Sequence, residues 1–234
     1  MAGYNLEMEI EKSLGKLYTE RFKDEQLLRK DAVWKVLCNH FFQKYVPRDS
    51  FVLDIGAGYC EFINNIQCAR KIAVDTNQDT TRFASEEVTV INCLSTDLSC
   101  FSNGSVDIVF MSNFLEHLAS KDDIIRTLVE VYRILKAGGS VMILQPNIRY
   151  LYKEYWDFFD HCTPLSDKSL VEVLQTVGFI IQEIFPKFLP YTTKSRIPQS
   201  PLLVKMYLKM RLVWKIMGKQ TFVLGKKPCM TPYI

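Results

Sequence analysis

The stretch Val52-Leu53-Asp54-Ile55-Gly56-Ala57-Gly58, answered by Lys71-Ile72-Ala73-Val74-Asp75, decides how this chain is read. An apolar run delivers a carboxylate, Asp54, and then two glycines whose missing side chains let the backbone press against a ligand. A second apolar run ends on Asp75, 21 residues after Asp54. Nucleotide cradles share this logic: a glycine turn, a helix N-terminus, and an acid about 20 residues on for a ribose. Two departures narrow the ligand. The third glycine of G-x-G-x-x-G would fall on Glu61, and an acid there repels a pyrophosphate. Asp54 stands two residues before the first glycine, where it can accept a hydrogen bond from an ammonium or a sugar hydroxyl. A cationic, phosphate-free nucleoside suits such a loop better than NAD does.

Working outward, strand and helix signals alternate. Strands are expected near 51–55, 71–75, 88–92, 106–111 and 140–145, with helical stretches between them. Such alternation implies parallel strands joined by crossover helices, an α/β sandwich that binds ligands at the carboxyl edge of its sheet. Gly138-Gly139 is expected to end a helix over 121–136 and turn into the fifth strand. Ser166-Asp-Lys-Ser169 starts another helix, closed by Gly178 before a strand at 179–185. Upstream, Leu14, Leu17, Phe22, Leu27, Leu28, Val33, Trp34, Val36, Leu37, Phe41 and Phe42 recur at mixed i+3 and i+4 spacings, so residues 6–45 read as helices.

The 234 residues fit a single domain with length for a large core. Three parts are expected: a helical cap over 1–46, a ligand-binding core over 47–185, and a basic C-terminal part over 186–234. No apolar run reaches the roughly 18 residues of a membrane span, and the polar start (Glu7, Glu9, Glu11, Lys12) is not that of a signal peptide. Seven cysteines without C-x-x-C spacing argue for free thiols in a reducing cytoplasm and against structural zinc; no metal site is expected.

The net charge of +3 hides an asymmetry. Residues 186–234 carry ten Lys or Arg and no acid, which leaves 19 basic against 26 acidic residues, a net of −7, in the first 185. An anionic partner would explain this skew, and so would a basic segment packed beside an acidic body. Within that segment, 186–201 reads as a Pro-punctuated linker and 202–217 as a basic amphipathic helix. Lys205, Lys209, Arg211, Lys215 and Lys219 span about 160° of its wheel; Leu203, Met206, Tyr207, Met210, Val213, Trp214 and Met217 fill much of the other side. Thr221-Phe-Val-Leu224 reads as a last strand.

Asp54-Ile-Gly56-Ala-Gly58 with Asp75 resembles the first two motifs of class I S-adenosylmethionine-dependent methyltransferases. Ser105-Val-Asp107-Ile-Val-Phe-Met-Ser-Asn113-Phe-Leu-Glu116-His117-Leu is similar to that family's fourth-strand segment, and Arg133-Ile-Leu-Lys136-Ala-Gly138-Gly139-Ser-Val-Met-Ile-Leu to its approach to the fifth strand. The likeness covers roughly 50–185. It implies a Rossmann-like, mostly parallel seven-stranded sheet with an antiparallel last strand and helices on both faces. It also implies S-adenosylmethionine as cofactor, with Gly56, Ala57 and Gly58 against the ligand, Asp54 on its amino group, and Asp75, next to Thr76, on both ribose hydroxyls. The bland reading of Asp75 is an N-cap for Thr76-Asn-Gln.

The family's usual acid after the third strand falls on Leu94, which could pack on the adenine while Ser95 or Asp97 holds its amino group; Asp97 could equally be a turn residue. Cys60 stands at the family's third glycine. Asn113 and His117 are expected at the methionine end, although a histidine satisfied by the core would read the same.

The segment from Gln145 to His161 gathers aromatics, carboxylates and a histidine beyond the fifth strand. Its Asn147, Arg149, Tyr150, Tyr155 and Trp156 are expected to line an acceptor pocket, and His161 to act as general base oriented by Asp160; an aromatic lid with a structural histidine is the alternative. Pro146-Asn147 and Asp160-His161-Cys-Thr-Pro164-Leu-Ser also resemble a subgroup acting in glycan and cell-surface polysaccharide pathways. The expectation is a small-molecule methyltransferase, most simply an O-methyltransferase of a sugar or related metabolite, with an acceptor that is anionic or sugar-containing. An N- or C-methyltransferase of natural-product or lipid metabolism touching a membrane through 202–217 is the nearest alternative. Outside the class stand a dinucleotide oxidoreductase and a non-catalytic nucleotide-binding protein. No nucleic-acid partner is expected, because the aromatics of 150–160 sit among acids. The oligomeric state stays open.

Overall fold

A computed structural model describes residues 24–191 and 200–229. The helix signals at 6–23 and the middle of the Pro-punctuated linker lie outside the described residues. Seven strands form one sheet: β1 (Phe51–Ile55), β2 (Arg70–Val74), β3 (Val88–Ile91), β4 (Val106–Ser112), β5 (Leu135–Pro146), β6 (Ile180–Phe185) and β7 (Gln220–Lys226). Their order is β3-β2-β1-β4-β5-β7-β6. β3, β2, β1, β4 and β5 pair in parallel, whereas β7 runs antiparallel to both β5 and β6. The expected architecture, with its antiparallel last strand, is the observed one.

Strand periodicity sorts the core into two layers. Leu53, Ile55, Val109, Met111, Val141 and Ile143 face one side. There they meet α3 (Lys121–Ile134) and α5 (Asp167–Val177) through Ile124, Leu128, Val131, Leu170 and Leu174. Val52, Phe110, Met142, Leu144 and Phe222 face the other, against α1 (Asp24–His40) and α2 (Glu61–Asn65). That second layer is aromatic, with Phe62 stacked on Phe110 at 3.7 Å and Phe41 on Phe188 at 4.1 Å.

Local signals set the ends. Ser166 and Ser169 form a reciprocal capping box at the start of α5, and Gly178 closes it in the left-handed region with φ +113°. The helix expected to reach residue 136 ends at Ile134, because β5 begins at once with Leu135. Gly139 passes so close to the Asp107 and Lys136 carbonyl oxygens that a Cβ would lie 2.9 Å from each. A four-residue turn, α4 (Ile148–Leu151), follows β5.

The basic segment departs most from expectation. The single helix over 202–217 is two, α6 (Pro201–Lys209) and α7 (Arg211–Met217), broken at Met210 with φ −105° and ψ 70°. Tyr207 and Trp214 turn inward onto the aromatic layer, Tyr207 Oη donating to the Phe188 carbonyl and Trp214 Nε1 to that of Tyr207. The Tyr207 carbonyl, near the end of α6, is satisfied by the Trp214 indole at the break between the two helices.

Candidate active site

The glycine turn leaves β1 at its carboxyl end. Gly56 and Ala57 donate to the Val74 carbonyl at 2.8 and 3.3 Å, tying the turn to β2. Gly56 and Gly58 have φ +69° and +51°, which glycine adopts freely. Cys60 follows at φ 60°, ψ 20°, wholly buried. At the family's glycine position a side chain is therefore accommodated in a left-handed residue, at a cost of about 1–2 kcal/mol. The other non-glycine residue with positive φ among the described residues is Asn113, φ 47°, at the end of β4. Both outliers flank the same turn, where strain of this kind marks functional geometry.

The two glycines do different work. Around Gly58 nothing approaches within 4 Å of where a Cβ would stand. Over Gly56 lies the Phe114 ring, 2.3 Å from such a position. At Gly56 the space a side chain would take is filled by a phenyl ring, whereas at Gly58 it is open.

Asp75 accepts from Gly58 N through Oδ2 at 2.7 Å and from Asn77 N through Oδ1 at 2.9 Å. The cap of the following 3-10 turn is Asn77, whose side chain accepts from Asp79 N. Asp75 thus braces the glycine turn, and each of its oxygens keeps a lone pair for a hydroxyl donor. Thr76 beside it is exposed. Asp54 is buried beneath the turn, on the layer that meets α2. Burial, then the charges of Glu61 and Asp75, push its carboxyl well above the ordinary range, while a hydrogen bond from the Ile63 backbone opposes them. Three carboxyl groups thus gather about one glycine turn; burial favours the neutral form of Asp54, and Lys30 answers Glu61 at 2.6 Å.

Leu94 is 60% exposed beyond β3. Ser95 is turned inward, its hydroxyl 2.8 Å from that of Thr127, which corrects its placement on the adenine amino group. Asp97 accepts from Ser99 N in a turn, the bland alternative.

At the other end, Asn113 Oδ1 is buried without a hydrogen-bond partner among the described residues. The 3-10 turn Leu115–His117 then presents Glu116 and His117. His117 Nδ1 lies 3.0 Å from the Asp160 carbonyl oxygen and 3.4 Å from Asp160 Oδ2. The carboxylate expected to orient His161 is therefore directed at His117. His161 itself is buried, stacked on Phe158 at 5.0 Å, with Tyr155 4.6 Å and His117 5.2 Å away. Sequence reasoning missed Glu116, which carries no signal beyond its place inside a motif. It is 3% exposed, neither oxygen has a donor among the described residues, and burial pushes its carboxyl up to about 7.

The acceptor-side residues divide. Asn147 is fully buried, donating to Asp167 Oδ1 and the Pro186 carbonyl while accepting from Arg149 N. Tyr155 is fully buried and donates to the Thr163 carbonyl. Both hold the segment together, and their expected contact with an acceptor is corrected, because every polar atom involved is committed internally. Arg149 pairs with both oxygens of Asp167, and Lys187 lies over the Tyr150 ring. Tyr152, Trp156 and Phe159, 61%, 58% and 91% exposed, are the rings that face outward. A groove of about 610 Å³ along edge strand β6, lined by residues such as Val171, Glu172 and Ile181, carries none of these motif residues.

S-adenosylmethionine fits this edge. The open space at Gly58, the lone pairs of Asp75, the exposed Leu94 and the orphaned Asn113 Oδ1 suit a cationic nucleoside with an amino-acid tail. Residues 53–143 match the family model described as a methyltransferase domain. No curated protein sequence matches the chain. Among solved structures it is similar to a SAM-dependent methyltransferase from Archaeoglobus fulgidus, at 22% identity over 82% of this chain and 92% of that one, with a TM-score of 0.62. A Thermotoga maritima SAM-dependent methyltransferase gives 18%, 86%, 91% and 0.60. The [4+2]-cyclase SpnF gives 15%, 77%, 75% and 0.56. At these identities the likeness is one of fold, and within that fold residues 53–143 match a methyltransferase domain, of the type whose cofactor is S-adenosylmethionine.

Proposed function

We propose that the protein transfers the methyl group of S-adenosylmethionine to a small-molecule acceptor, an oxygen of a sugar or related metabolite. The observation that carries this reading is the gathering of Asp54, Glu61 and Asp75 about an open Gly58, a set of acids that suits a cationic, phosphate-free nucleoside better than a pyrophosphate. Bound there, the cofactor supplies a methyl on positively charged sulfur, to be displaced with the bonding pair returning to that sulfur. Asp75 would hold the ribose hydroxyls, Leu94 would cover the base, and Asn113 would meet the amino-acid end.

The chain's further task is to position a nucleophile and receive its proton. Glu116, His117, Asp160 and His161 supply the polar groups for this, walled by Tyr155 and Phe158. Trp156 and Phe159 offer exposed rings on which a sugar face can stack. Calorimetry with S-adenosylmethionine and with NAD tests the donor, and an acceptor screen read by release of S-adenosylhomocysteine tests the rest. Binding of NAD alone would end this reading. Since SpnF, a cyclase, shares the fold, a protein that binds S-adenosylmethionine yet methylates nothing is the second outcome to look for.

A membrane contact through α6 and α7 is a second proposal. Leu202, Leu203, Met206, Met210, Leu212 and Ile216 are exposed beside Lys205, Lys209, Arg211 and Lys215, the mixture that binds anionic lipid interfaces. Among the described residues no helix is long and apolar enough to cross a membrane. Sedimentation with anionic vesicles, lost on Leu212→Glu with Ile216→Glu, supports the contact; no sedimentation by the wild-type chain defeats it. The free thiols, exposed Cys100, Cys162 and Cys229 among them, fit a reducing cytoplasm.

A further inference from the structure

Glu116 poses a problem that methyl transfer alone does not answer. A carboxyl buried to this depth, with no donor on either oxygen among the described residues, is costly in its charged form unless a positive charge or a bound cation matches it. Beside it stand His117, next in sequence, and His161, brought from 45 residues away. One ligand atom of each of the three lies within 4.8 Å of the others.

The backbone holds that meeting in place. Cys162 N and Thr163 N both donate to the Glu116 carbonyl, at 2.7 and 3.1 Å, and the Thr163 hydroxyl donates to that of Leu118 at 2.8 Å. The two segments are thereby clamped across the mouth of β4. Phe158 and Tyr155 pack against the His161 ring. Since a carbonyl oxygen only accepts, the contact with Asp160 O makes Nδ1 of His117 the donor and leaves the lone pair on Nε2. Metal-ligating histidines are oriented in this way, the second nitrogen tied to a carbonyl or carboxylate.

We propose that Glu116, His117 and His161 bind one divalent ion of zinc type, with Asp160 as the group that orients His117. Two imidazoles and a carboxylate suit a borderline cation better than magnesium or calcium, which prefer all-oxygen shells. Three protein ligands leave a fourth position open. The Leu115–His117 turn begins one residue after Phe114, which rests on Gly56, so that position lies on the acceptor side of the cofactor cradle. It would take an oxygen of the acceptor, a clause that rests on the methyl-transfer reading; ion binding itself does not.

The test uses the full chain, stripped with chelator and titrated with Zn²⁺ or Co²⁺ by calorimetry, with elemental analysis after gel filtration. One ion per chain is expected, with a visible Co²⁺ spectrum of low coordination number and a rise in melting temperature on loading. Glu116→Gln, close in shape, and His161→Ala should each lose the ion by at least the roughly 10–100-fold that removal of an orienting group such as Asp160 costs. Cys162→Ser should keep it, which separates the site from the exposed thiol beside it. No stoichiometric binding by the wild-type chain, undiminished binding in Glu116→Gln and His161→Ala, or loss in Cys162→Ser overturns the assignment. S-adenosylmethionine titrations on the same samples keep the two readings apart, since the ion can bind where the cofactor does not, and the reverse.

Discussion

The phenyl ring of Phe114 lies over Gly56 so closely that a Cβ there would stand 2.3 Å from its Cδ2, while two residues on Gly58 faces open space. One turn thus contains a glycine needed by the fold and a glycine available to a ligand. Gly56→Ala must push the ring aside and hold alanine at φ +69°; a loss of about 2–4 kcal/mol is expected from strain and overpacking together. Gly58→Ala adds only the left-handed cost, about 1–2 kcal/mol, yet should weaken cofactor binding more than tenfold. Urea unfolding beside calorimetry separates the two, and equal behaviour of both variants would contradict the division.

Asp75 braces the turn through Gly58 N and Asn77 N. Asp75→Ala orphans both donors, so a loss of about 1–3 kcal/mol is expected along with severely weakened cofactor binding. Asp75→Asn keeps an acceptor for one donor and should recover part of the stability without the affinity. Full recovery of affinity in Asp75→Asn would remove the carboxylate from the ribose.

Asp54 carries a sign that pH can read. Its folded-state carboxyl is raised, first by burial and then by Glu61 and Asp75. Its contribution to stability is fully present below the unfolded value near 3.8 and is lost as pH rises from there through the folded one. Each pH unit crossed between those two values weakens the fold by about 1.4 kcal/mol. Asp54→Asn should therefore stabilise the cofactor-free protein at pH 8 and flatten its pH dependence, while weakening cofactor binding. Melting curves from pH 5 to pH 8 check this; a variant less stable at pH 8 would refute it.

On the acceptor side, Asn147→Ala removes the cap of α4 and the bonds to Asp167 and Pro186, for about 2–3 kcal/mol of stability. Trp156→Ala, at an exposed ring, should leave the melting temperature within a degree or two and raise the KM for the acceptor. If Trp156→Ala leaves KM unchanged, the outward rings do not hold the acceptor.

Much was legible in the chain itself. The apolar runs and the glycine turn announce their own periodicity and backbone freedom, so β1, β2, the turn and Asp75 could be read locally. So could Ser166 and Gly178, because capping depends on a few consecutive residues. Asn147 and Tyr155 escape such reading for the opposite reason. A polar or aromatic residue after a strand reads the same whether it meets a ligand or, as here, Asp167 and the Thr163 carbonyl.

The sequence by itself determined the sheet, the order of the motifs and the chemistry of the donor site, because each rests on neighbours within a turn or on a repeat of two or 3.6 residues. Tertiary structure alone decided that Phe114 covers Gly56, that Asp160 serves His117, and that Glu116 meets His161 across 45 residues. Those pairings depend on two loops closing over one sheet edge. Their distances follow from how β4 and the segment after β5 are clamped, not from any spacing along the chain.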